Sequence, residues 1–174
     1  MSSTKKTLGP VTFQYTHLID PHAREAGQKE KYSCMVVIDK TDLKNIALVE
    51  AGVKAAHAEG SDKLGKSTLR QIRTPLRDGD EKEGMEGKMF FNCSSIRKPK
   101  IVGLDRQPIL DEDEIYSGMV GYVSINFFAY KASQSKGIGA GLNNILKSAD
   151  GERFGGGGSS VEDDFADVDV EQIF

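Results

Sequence analysis

Val123, Ile125, Phe127 and Ala129 alternate with Ser124, Asn126, Phe128 and Tyr130, and after a Lys131–Lys136 turn Ile138, Ala140 and Leu142 alternate with Gly137, Gly139 and Gly141. A period of two puts each set on its own face of a strand, so this stretch reads as two strands with one apolar face and not as an amphipathic helix. Glycine at every second position leaves one face of the second strand bare. That allows strong barrel curvature or the close approach of a ligand.

The same period recurs upstream. In residues 7–18, Val11, Phe13 and Tyr15 share one face while Thr12, Gln14 and Thr16 share the other, after which Asp20-Pro21 is expected to break the strand. Residues 31–38 form a second strand, apolar enough on both faces to sit deep in a sheet. Thr41 is read as the cap of a helix from about Asp42 to Glu59, where Ile46, Val49, Val53 and Ala56 recur at helical spacing and Gly60 supplies the stop. Regular patterning is lost from Ser61 to Gly87, a connection long enough to suggest function or disorder. Residues 88–96 give a third strand, with Met89, Phe91 and Cys93 on one side and Lys88, Phe90, Asn92 and Ser94 on the other. Residues 104–118 read as a polar excursion around Asp111–Glu114.

The fold class that follows is mainly β: a five-stranded Greek-key barrel of the OB type, with one helix and long loops. In that fold the helix usually lies between strands three and four. Here it falls earlier, so either it is an insertion or the strand count is off by one.

Charge divides the chain. Overall there are 23 basic and 26 acidic residues, for a net charge of −3. Residues 161–174 carry six of the acids and no base, leaving a body of 160 residues with 23 bases against 20 acids, net +3. Residues 1–154 are read as one domain, 155–160 as a Gly/Ser linker and 161–174 as a disordered acidic tail ending in Ile173-Phe174. A basic body with an acidic tail suits nucleic-acid binding, in which the body meets phosphate and the tail competes for the same surface. A purely solubilising tail is the plainer alternative.

Several classes are disfavoured. No apolar run approaches the ~20 residues of a membrane helix, and the lysines of the N-terminus precede no apolar core of a secretory signal. Cys34 and Cys93 stand far apart in strand-like runs and read as two buried thiols of a cytoplasmic protein, not as a disulfide or metal pair. Gly137–Leu142 is not a dinucleotide-binding fingerprint, and Val37–Asp42 lacks the phosphate loop that a guanine-reading motif would accompany. His17, Asp20 and His22 are better read as a polar turn than as metal ligands, and Asp111–Glu114 as a solvated charge run. No nucleophile context appears. The expectation is a binding protein without catalysis, metal or cofactor.

Alternation also shows which aromatics stand off the core. Phe90, Phe128 and Tyr130 lie opposite the apolar sets, with Lys88, Arg97, Lys98, Lys100 and Lys131 nearby in sequence. Exposed rings among cations are what single-stranded nucleic acid requires, since bases stack on rings and cations follow the phosphates. Lys136 and Asn126 extend the same set. Arg70, Arg73 and Arg77 would share one face if their loop became helical on binding, and are candidate phosphate clamps. For the rings, the plainer reading is packing beneath the helix or the long loop; for the arginines, it is a solvated surface.

The chain resembles the single-stranded DNA-binding proteins of tailed bacteriophages, small OB-fold replication proteins. The resemblance runs from about Gly9 to the end and rests on Thr74-Pro75-Leu76-Arg77-Asp78-Gly79-Asp80, Lys98-Pro99-Lys100-Ile101-Val102 and Tyr116-Ser117-Gly118. It continues through Ser124–Tyr130, Lys136–Ile145 and the acidic, aromatic-ended tail. It implies sequence-independent ssDNA binding in phage replication, recombination and repair within the infected bacterial cytoplasm. It further implies a tail, with Asp163, Asp164 and Phe174 as members, that recruits replication or recombination proteins and shields the DNA groove. The tail's charge and terminus add Phe165, Asp167, Asp169, Glu171 and Ile173 as candidate partner contacts. The alternation of the strands, and not the resemblance, gives the expected path: ssDNA crosses the face of the third to fifth strands, and the bare glycine face admits its backbone. Two readings compete: a protein-interaction adaptor without nucleic-acid binding, and an RNA-binding OB module. Homo-oligomerisation is left open.

Overall fold

The structure, a computed structural model, describes residues 4–23, 26–133 and 135–152. Seven strands run in chain order as β1 (Lys5–His22), β2 (Lys31–Asp39), β3 (Arg77–Asp78), β4 (Lys88–Ser95), β5 (Lys100–Val102), β6 (Val120–Lys131) and β7 (Lys136–Ala149). Helix α1 (Leu43–Glu59) and the single turn α2 (Ser61–Leu64) lie between β2 and β3. The linker and tail expectations at 155–174 fall outside the described residues.

Strand order is β3-β4-β2-β1-β6-β7-β5, with a further parallel pairing of β4 and β7 at Ser94 and Gly141. That pairing closes β1, β2, β4, β7 and β6 into a five-stranded barrel. The two extra strands, β3 and β5, are short additions. The five-strand count is therefore right, and the early helix is an insertion between the second and third barrel strands.

Strand β6 shows how alternation builds the core. Val123, Ile125, Phe127 and Ala129 are all buried, and their partners across β7 include Ile145, Leu142, Ala140 and Ile138. Phe13, Phe91 and Phe127 are fully buried, the last two with ring centroids 6.2 Å apart. Helix α1 presses Val49, Val53 and Ala56 onto this core. At Gly52 a Cβ would stand 2.3 Å from the Phe127 ring, so glycine sets the distance of helix from barrel. Asp42, not Thr41, caps the helix, accepting from the Asn45 backbone N–H at 3.2 Å. Asn45 is buried and ties the helix to β1, accepting from the Gly9 N–H at 3.1 Å.

Strand β1 departs most from expectation. Asp20-Pro21 does not end it, since pairing with β2 continues to His22 opposite Lys31. Its register slips between Gln14 and His17 and again between His17 and His22. Tyr15 adopts φ +48° in the first slip and is 53% exposed instead of joining Val11 and Phe13 in the core. A bulge re-aims side chains, and here it turns an aromatic ring outward.

Candidate nucleic-acid interface

An open cleft of about 1110 Å³ crosses one side of the barrel. Ser33 to Met35 of β2 and Asn92 to Ser94 of β4 form part of its lining. Gln28 and Lys29 come from the β1–β2 connection, and Phe128, Tyr130, Ile138, Gly139 and Ala140 from the β6–β7 hairpin. In chain order β2 and β4 are barrel strands two and three, the face on which OB barrels take oligonucleotides between their first and last interstrand loops. The cleft thus adds strand two to the third-to-fifth-strand face expected from the sequence.

The wall chemistry is one-sided. Lys29, Lys31, Arg73, Arg77 and Lys82 line the cleft together with His17 and His22, and no carboxylate lines it among the described residues. Tyr15, Phe128 and Tyr130 supply aromatic surface. The concave, low-dielectric shape concentrates the field of these cations, which favours a polyanion.

Phe128 stands on the outer face of β6 and is 45% exposed. Its ring rests on β7, where a Cβ at Gly139 would come within 2.7 Å of Cζ. At Gly137 a Cβ would meet the Arg73 backbone oxygen at 2.4 Å, and an extended bridge joins these two residues. The bare face of β7 is therefore filled by a ring and by a crossing main chain, and both ends of that packing border the cleft.

Arg73 and Arg77 reach the cleft by a route unlike the expected helical face. Leu69–Gln71 forms a single 3-10 turn, Arg73 is extended against Gly137 and Arg77 lies in β3 opposite Phe90. Arg70 is exposed on the turn and is not a lining residue.

The other predicted site residues are dispersed. Phe90 packs against Met35, Val37 and Met85 beneath the 79–87 loop, with the Lys82 ammonium 4.9 Å from its ring centroid, and is not a lining residue of the cleft. Lys88 pairs with Asp39 and borders a smaller cavity of about 360 Å³. Lys136 donates to the Leu64 carbonyl at 3.2 Å, holding the end of α2. Lys131, its register partner, is exposed at the hairpin end. Asn126 lies on the Phe128 face of β6, opposite Gly141, and accepts from the Thr4 hydroxyl at 3.5 Å. Arg97, Lys98 and Lys100 are exposed on and beside β5, away from the cleft lining. Asp163, Asp164, Phe165, Asp167, Asp169, Glu171, Ile173 and Phe174 lie outside the described residues.

Sequence reading missed Tyr15, His17, His22, Lys29, Lys31 and Lys82. A signal existed for Lys29 and Lys31, which flank the first interstrand connection of an OB barrel. None existed for Tyr15, because a bulge leaves the residue pattern unchanged.

The 79–87 loop that carries Lys82 is held at its base by a charged cluster. Lys40 Nζ lies 2.9 Å from Asp78 and 2.5 Å from Asp80, and Asp80 also accepts from the Gly87 N–H at 2.9 Å. Hydrogen bonding from the Asp80 N–H, then from Lys40, lowers the Asp78 pKa; Lys40 and the Gly87 N–H lower that of Asp80. Lys82 projects from this loop to 5.1 Å from the Tyr15 ring centroid.

Cys34 and Cys93 face each other across β2 and β4 with sulfurs 3.5 Å apart, free and buried below the cleft. They are distant in sequence and adjacent in space. The hydrogen bond with Cys93, then burial, pushes the Cys34 thiol well up, so it resists ionising. Among the described residues no group of three or more His, Cys, Asp or Glu side chains could hold a metal ion, and no helix is long and apolar enough to cross a membrane.

The chain is similar to several known proteins. A family model described as "Enterobacter phage Enc34, ssDNA-binding protein" matches residues 4–174. A curated relative, "Putative protein p50" of Acyrthosiphon pisum secondary endosymbiont phage 1, is 27% identical over 97% of this chain and 96% of its own length. The single-stranded DNA-binding protein from bacteriophage Enc34, solved in complex with ssDNA, superposes with a TM-score of 0.76 at 22% identity, covering 88% of this chain and 90% of that one. The single-stranded DNA-binding protein gp2.5 of bacteriophage T7 superposes with a TM-score of 0.59 at 14% identity, over 92% and 99%. At these identities the two solved structures establish a shared fold.

Proposed function

The chain belongs to the family of the Enterobacter phage Enc34 ssDNA-binding protein, and on that premise we propose that it binds single-stranded DNA without sequence preference in the cleft between the β1–β2 connection and the β6–β7 hairpin. One observation carries the proposal: five cations and three aromatic rings line the cleft, with no carboxylate lining it among the described residues. Bases stack on Phe128, Tyr130 and Tyr15, at about 1–3 kcal/mol per ring, and the nearby cations take the phosphates. Every base has a π-face and every nucleotide a phosphate, so neither contact reads sequence. The clamp is made by Arg73, Arg77, Lys29, Lys31 and Lys82. Arg70, Lys88, Arg97, Lys98, Lys100, Asn126, Lys131 and Lys136 act secondarily, along the strand's path beyond the cleft, and Phe90 supports the wall.

In this reading the protein coats and protects ssDNA during phage replication and recombination and performs no catalysis. The acidic tail at 161–174 competes with DNA for the cleft through its six carboxylates and recruits replication proteins through Ile173-Phe174. Charge complementarity supports the competition, because the body without these residues is net positive.

Fluorescence anisotropy with a labelled oligo-dT, at two salt concentrations, tests this reading on the full chain and on a chain ending at Ser160. The expected result is salt-sensitive binding by both, tighter for the shortened chain. Binding by neither overturns the ssDNA reading. Equal affinity of the two removes the competing tail.

A further inference from the structure

His17 and His22 stand five residues apart on β1, a spacing that in regular strand would send them to opposite faces. The register slip removes that alternation. His17 pairs with Ser33 and His22 with Lys31, so five steps along β1 are matched by two along β2. The two imidazoles stack, with centroids 4.2 Å apart and ring planes 11° from parallel, and both line the cleft. A distortion of this size keeps two ionisable rings face to face on the proposed DNA surface, where strand geometry alone would have parted them.

The described charged residues that line the cleft around the pair are of one sign. Lys31 lies beside His22 on β2, Lys29 comes from the connection before it, and Arg73, Arg77 and Lys82 line the same cleft. Asp20, between the two histidines, and Glu30 are exposed and are not lining residues. Among the described residues the cleft thus offers the pair no anionic partner. Burial, then repulsion from His22, lowers the His17 pKa below the ordinary histidine value.

We propose that the His17–His22 stack is a proton-linked phosphodiester subsite: a backbone phosphate sits against the stacked imidazoles, and the pair takes up a proton from solvent as DNA binds. This rests on the ssDNA reading above and deepens it. The linkage sign follows from the phosphate raising the imidazole pKa in the complex above that of the free protein. The added affinity is then complete below the free-state pKa and is lost as pH rises through that of the complex. Other candidate sources of such a slope are separable. His57, the remaining histidine, is bonded to the Ser67 carbonyl and is not a lining residue, and the raised Cys34 thiol does not ionise in this range.

The test measures oligo-dT affinity at constant ionic strength at about pH 6 and about pH 8, for the full-length protein and for H17Q/H22Q, with calorimetry in two buffers of different ionisation enthalpy. The wild type should weaken by about three- to tenfold over that range with net proton uptake on binding. The double variant should show neither. If the double variant does not fold by circular dichroism, H22Q alone carries the test, because His22 is exposed. Equal pH profiles of wild type and folded variant, or no proton uptake, overturn the subsite and leave ssDNA binding standing. Absence of wild-type binding at both pH values overturns the ssDNA reading and the subsite with it.

Discussion

The Phe128 ring lies on Gly139, where any Cβ would stand 2.7 Å from its Cζ. The glycine is a seat for the ring, and the ring's other side is left toward the cleft.

Gly139→Val therefore displaces a stacking platform without changing its chemistry. Binding of oligo-dT should weaken by about 1–3 kcal/mol, the value of one stacked base, while the far-ultraviolet circular dichroism stays native. An unchanged affinity in the folded variant would mean that Phe128 is not a stacking platform.

Arg73 and Arg77 line the cleft, whereas Lys98 and Lys100 lie outside its lining. Replacing both arginines by alanine should lower the slope of log affinity against log salt by about 0.7 for each phosphate that is no longer neutralised. Charge reversal at Lys98 and Lys100 should change that slope less. The reverse order would move the DNA path to the β5 side of the barrel.

The Lys40 cluster should make the 79–87 loop sensitive to acid. Hydrogen bonds lower the pKa of Asp78 and Asp80 below the ordinary carboxylate value of 3.8. The stabilisation is therefore complete above that value and is lost as pH falls through the depressed folded-state pKa values. Amide exchange at Gly87, whose N–H is held by Asp80, should lose protection in that acid window before the barrel strands do. Loss of both together would show that the loop is not held by this cluster.

Lys147 is the charged group most enclosed by the fold among the described residues, with a side chain 7% exposed and bonds of 2.7 Å to Glu114 and Asp150. Burial acts to lower its pKa, and the two carboxylates more than offset this, leaving it raised. Those carboxylates are more than half exposed, so Lys147→Met strands no buried charge and should cost only about 1–2 kcal/mol in urea unfolding. A loss of several kcal/mol would show that the ammonium organises the 112–116 turn.

The five barrel strands were legible because their period of two survives in the residues themselves, most clearly at Val123–Tyr130 and Ile138–Leu142. Phe128 and Tyr130 were legible for the same reason. What failed did so where structure interrupts the period. Tyr15 looks like a core residue until the slip between Gln14 and His17 turns it out. Phe90 has the parity of an exposed ring, yet the loop carrying Met85 folds over it. The glycines of β7 do mark a close approach, but of Phe128 and Arg73. The join of Arg73 to Gly137 is a tertiary contact with no local signature.

Stacking of bases in the cleft is tested most directly by the oligo-dT affinity of Phe128→Ala/Tyr130→Ala against wild type, with folding of both verified by thermal melting. The double variant should fold and bind with an affinity lower by about tenfold or more. A folded double variant that binds as tightly as wild type would contradict such stacking.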